Sequence, residues 1–308
     1  MKLSVILPVF KSKATICQLY ERVTHVIRCM PDFPDHEIIF VEDCGHDGSW
    51  DLIQELASQD GSVLGIQFSR NFGQHHGITA GIDLCSGDWA VVMDCDLQDT
   101  PEAIPDLWRK AQEGFEIVHA RRQGRKDAFL KSLRSRVYHW VLEWLSGLGC
   151  DPQVANYRIV SRQVLEAFKS LHETSRAFGP QLQWLGYPSA TIDVAHQARP
   201  DGKTSYTWTK LFRLALDIAV SYSSKPLRIS IFLGLGMAFA SVVTACWYAL
   251  RALIWSVPVQ GWSSLMVSVW FLGGVVLSNL GIIGIYIGKI FDEVRGRPLY
   301  VISRRVNC

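Results

Sequence analysis

Two long stretches without a charged side chain lie close together near the C-terminal end of the sequence. Residues 229–250 and 262–288 contain 22 and 27 consecutive uncharged residues, most of them apolar. Because a helix rises about 1.5 Å per residue, each stretch is long enough to cross the ~30 Å hydrocarbon core of a membrane. Two core helices of a soluble domain are the alternative, but a domain of this size rarely encloses two such runs. The pattern therefore predicts two transmembrane helices.

The distribution of basic residues around these stretches predicts their orientation. The loop that joins them, IWSVPVQGW, is short and uncharged, whereas Lys225 and Arg228 precede the first stretch. Five basic residues follow the second stretch, namely Lys289, Arg295, Arg297, Arg304 and Arg305. Positive charge accumulates on the cytoplasmic side of membrane proteins, so both ends of the hairpin are expected there. We expect a multi-pass protein of the inner, cytoplasmic membrane with its N-terminal domain in the cytoplasm.

The sequence before residue 226 alternates between strand-like and helix-like segments. Five segments are rich in β-branched and apolar residues, as expected of strands covered on both faces: 3–9, 37–43, 63–69, 88–94 and 115–121. Helical patterns fall between them, at residues 14–29, 49–58, 75–85 and 101–113. The alternation predicts an α/β fold with a mainly parallel sheet, and ligands bind such sheets at the carboxyl ends of the strands.

Acidic side chains follow two of these predicted strands. Glu42 and Asp43 end the second, and Asp94 and Asp96 end the fourth. Residues two apart in extended backbone project to the same side, so Asp94 and Asp96 are expected to converge. Hard oxygen ligands favour Mg²⁺ or Mn²⁺, and such a cation beside a phosphate removes the repulsion between two carboxylates. The alternative is that these acids only cap the next helix and its turn, which is the better interpretation for Asp99.

Several motifs together resemble those of one enzyme family over essentially the whole chain. They are ILPVF, VEDCGHDGS, SRNFGQHHG, the block DCDLQDTPE, NYRIVSR and RPDGKTSYTWTK, followed by the two apolar stretches. This order is similar to that of the polyprenyl-phosphate glycosyltransferases, inverting enzymes with a GT-A, Rossmann-like catalytic domain. The resemblance implies transfer of a sugar from a nucleotide sugar, UDP-glucose being the first expectation, to undecaprenyl or dolichyl phosphate on the cytoplasmic face.

The resemblance also implies roles for individual residues. The expected donor-binding residues are Pro8, Val9, Glu42, Asp43, Arg70 and Asp94. Asp94, Asp96 and Gln98 are expected to hold the divalent ion beside the diphosphate, and Asp94 and Asp96 are the expected catalytic carboxylates. Two of these expectations are less direct. Glu42 stands where relatives have Asp, and Arg70 is equally compatible with a structural ion pair.

Asn156 lies where many relatives carry an aspartate proposed as the catalytic base. The sequence there reads ANYR instead of Gly-Asp-Phe-Arg, and an amide cannot accept the proton usefully. A phosphate monoester has a second pKa of about 6, so it is largely dianionic in the cytosol and needs no base. Asn156 is therefore expected to donate a hydrogen bond to the acceptor or the sugar. A structural asparagine in a turn is the alternative.

A basic segment is expected to meet the acceptor phosphate. Seven cations lie between Arg121 and Arg136, just before the amphipathic run VYHWVLEWLSGL. Arginine suits phosphate oxygens, and Arg122, Arg134 and Arg136 are the expected contacts. A solvated helix face is the alternative for this segment, with RNA binding less favoured. The formal net charge of +2 gives no reason to expect a nucleic-acid partner.

The expected domain organisation has four parts. They are a cytoplasmic catalytic domain (1–206), an amphipathic interface helix or linker (207–226), the two transmembrane helices (227–291) and a cytoplasmic basic tail (292–308). Relatives with this layout suggest a homo-oligomer. Two other functions stay open from sequence: a polysaccharide synthase and a non-enzymatic membrane accessory that binds nucleotide sugars.

Overall fold

A computed structural model describes residues 1–123, 154–195, 225–254 and 261–308. The described residues divide into two compact units. The first contains residues 1–123, 154–195 and 297–308, and the second contains 225–254 and 261–296.

One twisted sheet forms the centre of the first unit. Its strands within the described residues are β1 (Lys2–Val9), β2 (Asp35–Glu42), β3 (Val63–Phe68), β4 (Trp89–Val92), β5 (Ile117–Gln123), β6 (Val154–Ser161), β7 (Ser189–Ala195) and β8 (Ile302–Val306). They lie in the order β7-β5-β6-β4-β1-β2-β3-β8. The pairs β1/β2, β1/β4, β2/β3 and β5/β7 are parallel, whereas β6 pairs antiparallel with β4 and β5, and β8 with β3. The predicted α/β class with a mainly parallel sheet is confirmed.

Helices cover both faces of this sheet. They are α1 (Ile16–Arg28), α2 (Ser49–Gln59), α3 (Gln74–Leu84), α4 (Ile104–Ala111), α5 (Arg162–Lys169) and α6 (Phe178–Leu185). Successive side chains of β1 alternate between the two cores: Leu3, Val5 and Leu7 pack with α1, α2 and α4, and Ile6 packs with α3, α5 and α6. This period of two explains why the predicted strands are apolar on both faces.

Three strands lie outside the five segments that the sequence pattern predicted. They are β6, β7 and β8. The last of these lies within the expected basic tail, where Ile302–Val306 forms the edge of the sheet beside β3. The Tyr300 hydroxyl donates to Asp83 Oδ2 at 2.7 Å, and Asn307 Nδ2 donates to the carbonyl oxygens of Ala57 and Val63. The end of the chain is thus tied to the sheet and not left as a free tail.

The predicted helix over 101–113 also begins differently. Residues Pro101–Ala103 form a single 3-10 turn, and the α-helix starts at Ile104. Thr100 makes no side-chain capping bond, and its carbonyl oxygen instead accepts from the Tyr157 hydroxyl at 2.9 Å. The start of this segment is therefore held by the sheet, through β6.

The packing of α3 against β1 depends on a glycine. A Cβ placed on Gly81 would collide with the side chain of Ile6, which is fully buried. Gly81→Ala is therefore expected to destabilise the first unit by about 1–3 kcal/mol, because a core at native density accepts an extra methyl only with strain. Thermal unfolding measures the effect. The control is Gly61→Ala, where an added Cβ meets no atom within 4 Å. Equal melting temperatures for the two variants would contradict this account of the packing.

The second unit contains two long helices, α7 (Lys225–Ile254) and α8 (Trp262–Val294). Each includes a stretch that by length and composition could cross a membrane, Leu227–Thr244 and Ser268–Val294, both with mean hydropathy 1.8. Large apolar side chains on them, such as Phe232 and Trp270, are 72% and 79% exposed. A core helix of a soluble protein would bury such residues. The two helices therefore match the predicted apolar stretches in position and character.

Polar side chains within these helices find partners inside the unit. Ser230 Oγ donates to Asn279 Oδ1 between the helices, and Asn279 Nδ2 donates to the Val275 carbonyl oxygen at 2.8 Å. Thr244 and Ser278 donate to carbonyl oxygens four residues earlier. Polar groups in apolar surroundings need such hydrogen-bond partners because no water is there to replace them.

Candidate active site

A cleft of about 380 Å³ lies at the carboxyl edge of the parallel strands. Pro8 and Val9 of β1, Asp43 after β2, and Asp94 and Asp96 after β4 all line it. The loop after β3 and the first turn of α3 complete the wall with Asn71, Gly73, Gln74 and Gly77. The geometry thus brings together five side chains that the sequence placed at separate strand ends, because parallel neighbours end at the same edge.

Asp43 organises the loop between β3 and α3. Its carboxylate accepts hydrogen bonds from Asn71 Nδ2 at 2.9 Å and from the backbone N–H groups of Phe72 at 2.6 Å and Gly73 at 2.8 Å. Only 4% of the residue is exposed. Burial raises the pKa of this carboxyl and the adjacent Glu42 adds to the rise, while the two backbone donors act against it. Asp43 is therefore both a wall of the cleft and the residue that shapes the loop.

Glu42 is buried inside the first unit. It is 1% exposed, and its two carboxylate oxygens accept from the Gly45 N–H at 2.6 Å and from Gln67 Nε2 at 2.9 Å. These bonds fix the tight loop after β2, in which Cys44 and His46 both have positive φ. Glu42 is not among the residues that line the cleft. Its expected donor contact stays a prediction.

The segment from Asp94 to Asp99 forms a compact loop at the end of β4. Gln74 Nε2 donates to Asp94 Oδ1 at 2.5 Å, and the Gln98 N–H donates to Asp96 Oδ1 at 3.1 Å. Asp99 is buried, and its Oδ2 accepts from the Asp94 N–H at 3.2 Å, which makes it the turn residue that the sequence indicated. The loop holds the Asp94 and Asp96 side chains at the cleft while Asp99 supports it from behind.

The side chains of this loop are suited to bind a divalent cation whose remaining ligands come from a substrate. Within the part of the chain that the structure describes, no group of three or more His, Cys, Asp or Glu side chains forms a complete metal site. Mg²⁺ is commonly bound by one or two carboxylates, with phosphate oxygens and waters filling the other positions. Asp94 and Asp96 supply hard oxygen donors of this kind. Gln98 contributes its backbone N–H to Asp96, and its expected contact with the ion stays a prediction.

The sequence alone assigned no role to two residues of this site. Asn71 holds Asp43, and Gln74 holds Asp94, through the hydrogen bonds described above. Both belong to the motif SRNFGQHHG. The motif therefore indicated that this segment contributes to the site, but it did not indicate the roles of these two residues. Arg70, the expected donor contact in the same motif, is exposed and lies over the Phe72 ring at 4.2 Å from its centroid.

Asn156 lines a second cavity, of about 500 Å³, on the same side of the sheet as α3 and α6. It lies within strand β6, so the alternative of an asparagine in a turn is wrong. Its carbonyl oxygen accepts from Arg158 Nε at 3.2 Å. Arg158 is 3% exposed and stacks over the Phe178 ring at 4.8 Å. This space is the second cavity of the domain.

The expected contacts to the acceptor phosphate fall largely beyond the described part of the chain. Arg134 and Arg136 lie outside the described residues. Arg122 belongs to β5, in register with Val194 of β7. The amphipathic segment 207–226 also lies outside the described residues, apart from its last two positions.

Comparison with known proteins gives the family. The family model described as glycosyl transferase family 2 matches residues 4–165. The SfII prophage-derived bactoprenol glucosyl transferase of Shigella flexneri is 35% identical over 305 residues, covering 99% of this chain and 98% of that protein. The prophage bactoprenol glucosyl transferase homolog of Escherichia coli K12 is 33% identical, covering 99% of both.

A solved structure is similar at lower identity. Glucosyl-3-phosphoglycerate synthase from Mycobacterium tuberculosis, crystallised with Mn²⁺, UDP and phosphoglyceric acid, is 20% identical with a TM-score of 0.48. The similarity covers 71% of this chain and 76% of that one.

The chain belongs to glycosyl transferase family 2, and it is therefore a glycosyltransferase. The resemblance drawn from its motifs is confirmed. Membership of an enzyme family also decides against the non-enzymatic accessory, which the sequence alone had left open.

Proposed function

We propose that this glycosyltransferase transfers a hexose from a UDP-sugar to the phosphate of a membrane polyprenol. Glucose is the favoured sugar. The observation that carries the proposal is the cleft that gathers Asp43, Asp94 and Asp96 at the carboxyl edge of the sheet. Full-length similarity to proteins named as bactoprenol glucosyl transferases supports the acceptor and the sugar. The two long apolar helices suit an enzyme whose acceptor is a lipid.

The donor is proposed to lie along the cleft. Pro8, Val9 and Asp43 form the wall for the nucleoside, and Asp94 and Asp96 lie where the diphosphate would be. These two carboxylates, supported by Gln98, would hold Mg²⁺ or Mn²⁺, which when bound neutralises the charge of a leaving nucleoside diphosphate. Gln74 fixes the direction of the Asp94 side chain by its hydrogen bond to Oδ1. Arg70 is proposed as a further donor contact.

The acceptor phosphate is proposed as the nucleophile, attacking the anomeric carbon from the side opposite the diphosphate, with inversion. Since a phosphate monoester is largely dianionic near neutral pH, the reaction needs no general base. This agrees with an amide at position 156. Asn156 is proposed to donate a hydrogen bond, and Arg122, Arg134 and Arg136 to offset the repulsion between the lipid phosphate and the acidic cleft.

The proposed position of each part of the chain relative to the membrane follows the predicted domain boundaries. The catalytic domain, 1–206, would lie in the cytoplasm, 207–226 at the membrane surface, and 227–291 across the inner membrane. Residues 292–308 would return to the cytoplasmic side, where β8 belongs to the catalytic sheet. A homo-oligomer is proposed from the layout of relatives.

The test is a transfer assay on membranes that contain the protein. Membranes are incubated with polyprenyl phosphate and each of a panel of radiolabelled nucleotide sugars, and the lipid is extracted. We expect label in the organic phase from UDP-glucose, and its loss on chelation of divalent cations. The matched control is membranes without the protein. Absence of lipid-linked sugar from every donor would overturn the proposal, and label in a water-soluble polymer would favour the polysaccharide synthase.

A further inference from the structure

A row of paired residues crosses four neighbouring strands, and three of these strands, β5, β6 and β7, line the second cavity. Val92 of β4 pairs with Arg158 of β6, Arg158 pairs with His119 of β5, and His119 pairs with Thr191 of β7. Side chains of directly paired residues project to the same face of a sheet. Arg158, His119 and Thr191 accordingly all line the second cavity.

The same row links the second cavity to the acidic edge of the cleft. Asp94 follows Val92 by two residues, and Asn156 precedes Arg158 by two. The observed register of β4 with β6 ends at Val92 and Arg158, and its extension by two residues would place Asn156 across from Asp94. Consecutive residues at the start of α3 also line the two cavities, Gln74 the cleft and His75 the second cavity. The second cavity is therefore a neighbouring space in which a group attached to a diphosphate at Asp94 could lie.

The polar groups of the second cavity are mostly uncharged. Asn156, Gln183 and Thr191 contribute amide and hydroxyl groups. Burial lowers the pKa of His75 and lowers that of His119 to about 4, which favours the uncharged form of both rings. Neutral donors and acceptors set among apolar groups are the means by which proteins bind hydroxyl groups of uncharged ligands.

One of these groups lacks a partner. The Nδ1 atom of His119 is buried and has no hydrogen-bond partner within the described residues. A buried polar atom without a partner is costly. Since this nitrogen has almost no accessible surface, a ligand in the second cavity would contact it only after the ring turns. The atom belongs to a residue in the middle of the row and on the floor of the second cavity.

We propose that the second cavity holds the sugar ring of the donor, and that His119 and Thr191 recognise its hydroxyl groups. This inference rests on the proposed function and adds the position and the specificity of the transferred sugar. The lipid phosphate is a poorer occupant. Among the described lining residues Arg158 is the one cation, and it is engaged with the Phe178 ring and the Asn156 carbonyl oxygen.

The test uses two variants of the full-length enzyme, His119→Phe and Thr191→Val. Each removes hydrogen-bonding atoms while keeping a similar side-chain size. Each is expected to lower kcat/KM for UDP-glucose about tenfold and to reduce the preference for UDP-glucose over UDP-galactose, which differs at one hydroxyl group. UDP binding, measured by calorimetry, is expected to stay within about twofold of the parent because UDP lacks the sugar.

The matched control is His36→Phe. His36 also has a buried ring nitrogen without a partner within the described residues, but it lies near the amino end of β2, away from both cavities. It is expected to leave the sugar preference unchanged. If both cavity variants kept the parental preference while binding UDP normally, the inference would be overturned and the proposed function would stand. If the parent enzyme formed no lipid-linked sugar from any donor, the proposed function itself would fail.

Discussion

Asp96→Asn is expected to lower the rate of sugar transfer about 10²–10³-fold while the protein stays folded. Asp96 lies at the edge of the cleft, and its Oδ1 accepts the Gln98 N–H, a bond that an amide oxygen can also accept. The substitution therefore keeps the loop and removes a negative charge from the proposed cation site. The measurement is kcat/KM for lipid-linked product at saturating Mg²⁺, with thermal unfolding as the check on folding.

The control for this prediction is Asp106→Asn. Asp106 is an exposed carboxylate on α4 that pairs with Arg109 at 2.8 Å on the surface. Its substitution removes the same charge from the same unit and is expected to leave transfer unchanged. A parental rate in the Asp96 variant would show that this carboxylate has no part in the reaction.

Asp43→Asn is expected to lower both stability and donor binding. The carboxylate accepts from the Phe72 N–H on Oδ1, and from the Gly73 N–H and Asn71 Nδ2 on Oδ2. Whichever way the new amide turns, its NH₂ group faces at least one of these donors. We expect a loss of about 2–4 kcal/mol in the free energy of unfolding, since the site is buried and the lost bonds involve a charged acceptor.

The loss of donor binding is expected because the same loop forms one wall of the cleft. The measurement is calorimetric titration with UDP, and a weakening of at least about tenfold is expected. Asp47→Asn is the matched control, because Asp47 accepts the backbone N–H groups of Lys13 and Ser49 but does not line the cleft. It is expected to reduce stability while UDP binding persists. Normal UDP affinity in a folded Asp43 variant would contradict the assignment of Asp43 to the donor site.

The sequence was sufficient to predict those features that depend on a short segment of the chain. Asp94 and Asp96 follow a buried strand at a spacing of two, and parallel strands end at one edge, so their presence at a cleft was predictable. The long apolar runs were equally readable, because length and composition alone decide whether a helix could span a membrane.

Features that depend on pairing between distant segments were not predictable in this way. Strand β6 contains the polar residues Asn156 and Arg158, and such residues do not predict a buried strand. Strand β8 contains two arginines and pairs with β3, more than 230 residues earlier. The row that joins His119 to Arg158 and Thr191 exists only through the registers of β5 with β6 and β7. Sequence patterns over a short window carry no information about such registers.

The central claim is that Asp94 and Asp96 hold a divalent ion against the diphosphate of the donor. The most direct measurement is a structure of the full-length protein with Mn²⁺ and UDP, with data collected at the manganese absorption edge. We predict one anomalous peak that contacts the Asp94 and Asp96 carboxylates and the UDP diphosphate. An anomalous peak remote from both aspartates, or UDP bound outside the cleft, would contradict the claim.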